Sequence, residues 1–273
     1  MRLAAMHVVV CVKQVPDTTN VRINPETNTL MREGVESIIN PFDEYALEQG
    51  LMIKDRHGAR LTVVSMGPPQ ATAVLRESLA RGADDAVLVS SRAFGGADTL
   101  ATSYTLAQAI RKACGGKTPD LVLFGKQAID GDTAQVGPGV SEFLGVPLVT
   151  YVRKIDVSAD GAKFTVESVM DDGVATIGGA LPAVMTVLKE SDAPRYAPLA
   201  GAIRAAKADV TVLDEKDIEA NPSEIGLKGS PTKVVTIFPP PIKGGGEKIA
   251  ASGAEAAKAI VAFLEKKGWV KNG

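Results

Sequence analysis

The sequence predicts an α/β fold: an open, mostly parallel, doubly wound sheet followed by a C-terminal arm. Three observations predict it. Short β-branched apolar runs alternate with helix-length stretches across roughly the first 150 residues. Glycine (27) and proline (16) punctuate the joins, while aromatic residues make up only 4%. From Arg195 onward the chain turns Lys-, Ala- and Pro-rich and the alternation stops.

Taken in order, His7–Val12 is a continuous apolar run and reads as a buried parallel strand. Val21–Asn24 and Asn28–Met31 flank Pro25–Asn28 and read as a small hairpin or loop excursion. Asn40-Pro41 opens a helix, with Asp43 and Glu44 at its positive end, and His57-Gly58 closes it. Arg60–Ser65 is the second core strand, and Gly67-Pro68-Pro69 breaks it. Gln70–Arg81 is helical and stops at Gly82. Asp85–Val89 is the third strand, followed by a glycine loop, Phe94–Ala97, and a helix from Asp98-Thr99 through Lys112. Asp120–Phe124 is the fourth strand, Gly125–Gly131 a loop and Thr133–Leu144 a helix. Val149–Val152, Phe164–Glu167 and Ala183–Val187 read as later strands. Pro239–Pro241 and Gly244–Gly246 are linkers ahead of a last amphipathic helix near 254–267. The expected division is a nucleotide-binding domain over 1–200 and, over 201–273, an arm that lies on this domain or on a partner.

Composition narrows the function. With 30 Lys plus Arg against 32 Asp plus Glu, the net charge is −2, which excludes a nucleic-acid groove built on bulk positive field. Cys11 and Cys114 form neither a CxxC pair nor a disulfide framework, and His7 and His57 are too few for a His-rich metal site. No apolar run reaches the ~18 residues of a membrane span. The N-terminal stretch reads as a first strand rather than a leader, so the expected compartment is the cytoplasm.

In an open α/β sheet, ligands lie beyond the carboxyl ends of the strands. The strongest such end is Gly125–Gly137, which turns at Gly131 and enters a helix near Thr133. Backbone N–H groups there can approach a pyrophosphate, and a simple capped helix explains the same residues equally well. The segment is neither GxGxxG nor a Walker loop. Arg92–Thr99 is the second candidate: Gly95 and Gly96 permit close approach and Arg92 could hold a flavin or nicotinamide group, although a flexible loop with Asp98 as helix cap explains it more simply. Lys13 reads as a salt-bridge residue or a cofactor contact, and Cys11 as a core residue. No nucleophile–base or paired-carboxylate constellation stands out, so any chemistry is carried by a cofactor.

Taken together, Val10–Asp17, Asn40–Glu44, Val64–Pro68, Gly125–Asp130 and Pro194–Tyr196 resemble the beta subunits of electron transfer flavoproteins, and they span most of the chain. The resemblance implies a Rossmann-like, adenine-nucleotide-binding fold and an alpha-subunit partner. Within the family, ordinary beta subunits hold AMP, and those of the electron-bifurcating class hold a complete FAD. Arg92–Ser103 and Gly131–Gly137 are similar to the loops of the second class. The likeness implies that Cys11, Lys13, Asn40, Asp43, Ser65 and Gly67 surround the adenosine. It places Thr133, Ala134, Gln135, Val136 and Gly137 along the phosphates and Arg92, Phe94, Asp98 and Thr99 toward the flavin ring, with Gly125, Gln127 and Gly131 among the further cofactor-binding residues. It further implies hydride transfer from NADH to the beta-subunit FAD. One electron then passes to the alpha-subunit FAD and a high-potential acceptor, the other to ferredoxin or flavodoxin. One departure stands out: Ser191 and Asp192 occupy the places where the family carries an apolar anchor beside an Asn for docking a dehydrogenase. That weakens the case for an acyl-CoA dehydrogenase and leaves a quinone oxidoreductase open as acceptor.

Overall fold

The computed structural model describes residues 6–17, 22–23, 30–31, 37–235 and 248–270. Two compact units are present, 1–235 and 236–273. In the first, β1 (His7–Cys11), β2 (Gln14–Pro16), β3 (Arg22–Ile23), β4 (Leu30–Met31) and β5 (Ser37–Ile39) precede α1 (Pro41–His57). Then come β6 (Arg60–Met66), α2 (Thr72–Arg81), β7 (Asp85–Val89), α3 (Thr99–Ala113), β8 (Leu121–Gly125) and α4 (Val136–Leu144). β9 (Leu148–Val157), β10 (Lys163–Met170), β11 (Gly173–Ala180), β12 (Ala183–Val187), α5 (Leu199–Lys207) and β13 (Thr211–Leu213) complete it.

Among the described residues the main sheet runs β11-β10-β9-β12-β8-β1-β6-β7-β13. The seven strands from β9 to β13 in that order pair in parallel, and β10 and β11 extend them as an antiparallel edge. β3 and β4 pair antiparallel, as the hairpin reading expects, and the connecting Pro25–Asn28 lies outside the described residues, as do the Pro and Gly linkers. The central strands are apolar on both faces because helices cover both. Val8, Val10, Leu61, Val63, Leu121, Leu123 and Met185 pack under α1 and α2, while Val9, Val64, Val122 and Val184 pack under α3 and α4. This is the doubly wound architecture the sequence predicts.

The helix ends follow their residues. Pro41 occupies the first turn of α1, and Gly58 ends it at φ 63° with its N–H donating to the Lys54 carbonyl at 2.8 Å. Asp98 caps α3 by accepting from the N–H groups of Leu100 and Ala101. α4 differs from expectation: it begins at Val136 rather than Thr133. Asp132 (φ 53°) and Ala134 (φ 55°) hold left-handed backbone, which no right-handed helix can include.

Residues 201–235, which read from sequence as the start of the arm, pack on the sheet. α5 lies against α2 so closely that a Cβ on Gly201 would stand 2.0 Å from the Ala80 carbonyl oxygen. Arg76 donates to the carbonyls of Ala205 and Ala208, and Arg204 to that of Leu79. β13 then pairs with β7 as the ninth strand. In the second unit, α6 (Gly253–Lys266) carries a Ser252/Glu255 capping box and buries none of its residues.

The link between β12 and α5 is clamped by Arg195. Its guanidinium meets the carboxylates of Glu48 and Asp55, each at 2.8 Å, and its backbone N–H donates to Glu48 at 2.9 Å. Glu48 is 7% exposed, so removing the cation strands a buried charge. Arg195→Met is expected to lower the unfolding free energy by about 2–3 kcal/mol. It should also make residues 189–198 the first segment cut in limited proteolysis. An unchanged urea midpoint with an unchanged cleavage pattern would show that the clamp contributes nothing.

Candidate functional site

The strand order reverses between β1 and β8. From β1 the chain builds outward through β6 and β7, then crosses to β8 on the other side. The crevice beyond the carboxyl ends of those two strands is where such sheets bind ligands. The predicted residues Lys13, Asn40, Asp43, Gly125 and Gln127 meet there.

Asn40, fully buried, ties the crevice together: its Nδ2 donates to the Gln127 carbonyl at 2.8 Å and its Oδ1 accepts from the Ile129 N–H at 3.1 Å. Its own N–H donates to the Lys13 carbonyl at 2.8 Å. Asp43, 6% exposed, accepts from the Lys13 N–H at 2.8 Å and from the Gly125 N–H at 3.2 Å. One carboxylate therefore staples the end of β1 to the end of β8. Burial pushes its pKa up to about 7 even though Asn40 and both backbone donors favour the charged form. Gly125 has to be glycine, because a Cβ would lie 2.4 Å from Asp43 Oδ1 and 2.6 Å from the Phe42 carbonyl carbon. The Lys13 ammonium closes over the crevice on Asp130 at 2.7 Å, a partner that the sequence reading did not single out.

Ser65 lies at the end of β6 with its hydroxyl buried and without a hydrogen-bond partner, an orphan donor and acceptor of the kind a ligand satisfies. Gly67 follows it, its N–H donating to the Val89 carbonyl at 3.1 Å. Cys11 is placed differently. Its side chain belongs to the core under α3 and α4, and burial together with the Asp43 charge pushes its thiol pKa up. It packs rather than reacts.

Beyond Gln127, whose amide bonds the Asp132 carboxylate, the chain opens outward. Gly131, Asp132, Thr133 and Gln135 are exposed, Ala134 and Val136 half-buried, and Gly137 buried. A Cβ on Gly131 would meet nothing within 4 Å, whereas one on Gly137 would stand 2.7 Å from the Thr186 methyl. Gly137 is thus fixed by packing, whereas nothing within the chain crowds Gly131.

The second predicted loop adjoins the first. Ser103, one turn into α3, donates to the carbonyls of Thr99 at 2.6 Å and Val136 at 3.3 Å, linking the starts of α3 and α4. Arg92 is exposed. Phe94 is 5% exposed and packs in the core, so its ring shapes the loop from beneath. Asp98 is fully engaged. Besides capping α3 it accepts from the N–H and hydroxyl of Thr232, and its own N–H donates to Ser230. Burial opposes the charge, but the donors of Thr232, Ala101 and Leu100 hold its carboxyl below the usual range. The 223–232 segment, with Gly226 and Gly229, follows no predicted strand, and its place beside α3 is revealed only by tertiary contact. It also walls a cavity of about 260 Å3 with Leu100, Tyr104 and Phe143.

No group of three or more metal-binding side chains occurs among the described residues, and none of their helices is long and apolar enough to cross a membrane. The arrangement offers backbone donors and one orphan hydroxyl at the carboxyl ends of parallel strands, a setting suited to holding a nucleotide.

The electron transfer flavoprotein domain family matches residues 27–218. The electron transfer flavoprotein subunit beta of Clostridium acetobutylicum is 48% identical over 265 residues, covering 97% of this chain and all of that protein (100%). The caffeyl-CoA reductase-Etf complex subunit CarD of Acetobacterium woodii is 49% identical over 264 residues, 96% of this chain and 99% of its own length. Protein FixA of Azorhizobium caulinodans is 49% identical over 240 residues, 86% of this chain and 85% of its own.

Proposed function

The chain belongs to the electron transfer flavoprotein family as a beta subunit, and from that premise we propose that it is of the bifurcating kind, binding a complete FAD rather than AMP. As a beta subunit it works in electron transfer with an alpha subunit. In the proposed reading this chain would hold an FAD, which would supply hydride acceptance from NADH and the splitting of the electron pair between the alpha-subunit FAD with its high-potential acceptor and a ferredoxin or flavodoxin. The C-terminal arm, with the exposed apolar residues Ile260, Phe263 and Trp269 on or next to α6, lies against the alpha subunit.

A single observation supports FAD over AMP. The segment 131–135 is largely exposed beyond the adenosine crevice, with left-handed backbone at Asp132 and Ala134 and open space at Gly131, and α4, which follows it, is tied at Val136 to Ser103 of α3, the helix that the Arg92–Thr99 loop enters. In the proposed reading, a nucleotide longer than an adenylate extends along this exposed stretch. The residues present fit: Ser65 and the crevice clamped by Asn40 take the adenosine, and the 131–137 backbone takes the phosphates. In the proposed reading, Arg92 and Thr99 lie toward the flavin ring. When bound, the flavin supplies two-electron acceptance and one-electron release, and the chain's own residues bind, orient and exclude water. On the high-potential branch, Asp192 is held by Gln49 at 3.0 Å beside Ser191. That polar pair counts against docking of an acyl-CoA dehydrogenase and leaves a membrane quinone oxidoreductase open as the acceptor.

Flavin counting tests the reading. Two FAD per purified heterodimer supports it, and one FAD with one AMP would replace it with an ordinary beta subunit. Gly131→Val gives a second handle. Because its Cβ meets nothing in the chain, its cost to folding is expected to stay within about 0.5 kcal/mol. Its FAD content should fall at the same time, because the new side chain stands where backbone meets the phosphates. Full FAD retention in that variant would sink the cradle.

A further inference from the structure

We propose that Tyr151 is a positioning residue of the nucleotide site: a strained bulge in β9 holds its ring so that the Lys126 ammonium is presented to the phosphate carried by the 131–137 segment. The inference rests on the nucleotide-binding reading and deepens it.

The bulge follows from the register. Met185 pairs with Val149 and Val187 with Val152, so Thr150 and Tyr151 together stand opposite Thr186. Val149 and Val152 both stay in the core, and the extra residue is left outside it. Tyr151 sits at φ 54°, left-handed backbone that a bulky L-residue adopts only at a cost. Two buried hydroxyls hold it there. The Tyr151 N–H donates to Thr186 Oγ1 at 3.1 Å, and Ser168 Oγ donates to the Thr150 carbonyl at 2.8 Å. Thr186 and Ser168 are each 2% exposed.

Core packing does not repay this strain, because Tyr151 is 39% exposed. What the ring does touch is a cation: Lys126 Nζ lies 5.4 Å from its centroid. Lys126 leaves β8 directly after Gly125, and its N–H is fixed on the Val187 carbonyl at 2.9 Å. None of the ion pairs among the described residues includes Lys126, whereas Lys13, the other lysine at these strand ends, is taken by Asp130. Thr186 joins the bulge to the phosphate segment, since its methyl lies 2.7 Å from where Gly137 would carry a Cβ. Lys126, of intermediate exposure, carries its ammonium over an aromatic face and stands on the stretch of chain that runs from β8 into the 131–137 segment. Such an ammonium is a receptor for an anion. A phosphate is the anion shared by AMP and FAD.

The test uses the alpha–beta heterodimer, stripped of nucleotide and titrated with AMP and with FAD at low and high salt. Tyr151→Gly removes both strain and ring. It is expected to leave the urea midpoint of the stripped heterodimer unchanged or higher, while nucleotide Kd rises about 5- to 10-fold and loses salt dependence. Tyr151→Phe should bind like the parent. Lys126→Met should show the loss seen with Tyr151→Gly, and the double variant should be no weaker than Lys126→Met alone. Parent-like affinity in Tyr151→Gly, a loss that tracks a lowered midpoint, or additive losses in the double variant would each overturn the proposal. If the parent takes AMP but not FAD, the dinucleotide reading fails, and the AMP titrations still decide the role of Tyr151. A parent that binds neither nucleotide overturns both.

Discussion

Gly125→Ala is expected to lower the unfolding free energy by about 3 kcal/mol, at the upper end for overpacking. The reason lies in what the new methyl would meet. Its nearest neighbours are Asp43 Oδ1 at 2.4 Å, the Phe42 carbonyl carbon at 2.6 Å and the Asp43 nitrogen at 2.7 Å. Two of these are backbone atoms in the first turn of α1, so no rotamer change relieves the clash and the helix itself has to move. Moving it breaks the staple, since the Gly125 N–H and the Lys13 N–H share the Asp43 carboxylate. Gly137→Ala should cost less, because its first obstacle is the Thr186 methyl, a side-chain atom. Gly131→Ala should cost little, because its methyl enters open space. Urea unfolding of the three variants is therefore expected to rank 125 above 137 above 131 in damage. Equal stability of the Gly125 and Gly131 variants would refute the close approach of α1 to β8.

The central strands were legible because burial on both faces leaves an unbroken apolar run, as in Val8-Val9-Val10 or Leu121–Phe124. The doubly wound, mostly parallel class of the sheet followed from the alternation of elements, while its strand order is set by tertiary pairing. β11 escaped notice because Gly173–Ala180 alternates exposed with half-buried residues and contains three glycines, which carries almost no apolar period. β13 is three residues long and gains its identity only by pairing with β7. In the site, Asn40, Asp43, Lys13 and the Gly125 loop were readable as strand ends and a helix start. Their actual task was not: Asn40 and Asp43 spend their polar atoms on the chain's own backbone, a role set by contacts between residues 82 to 89 positions apart. Phe94 is a similar case. Its neighbours Gly95 and Gly96 mark a loop, but burial of the ring depends on core residues such as Ile218 and Ile225 far along the chain. The bulge at Tyr151 has no sequence signal because the residue there is the opposite of what left-handed backbone favours.

The Asp43 staple gives the largest expected pH effect. Its pKa rises from the usual 3.8 to about 7 in the folded chain, chiefly through burial. Between those values the folded state binds a proton that the unfolded state does not, so stability is greatest at the acidic end and falls as pH rises toward 7. Above about 7 the group is charged in both states and its effect is constant. The span corresponds to on the order of 4 kcal/mol, about three pKa intervals. The groups that face the carboxylate are the Lys13 and Gly125 N–H donors and Asn40, with the Lys13 charge adding from further off and the buried Cys11 thiol on the other side of β1. Asp43→Asn removes the titration and also loses an acceptor, since an amide oxygen can serve one of the two N–H groups while its NH2 faces the other. The variant should be less stable than the parent at every pH. Its deficit should be largest near pH 5 and narrow by pH 8, as the parent takes on the burial cost of its charge. A deficit that stays constant across that range in urea titrations would mean that Asp43 keeps an ordinary pKa, with the crevice wet enough to solvate it. A deficit that narrows would mean that the joint between β1 and β8 tightens or loosens with a single proton at neutral pH.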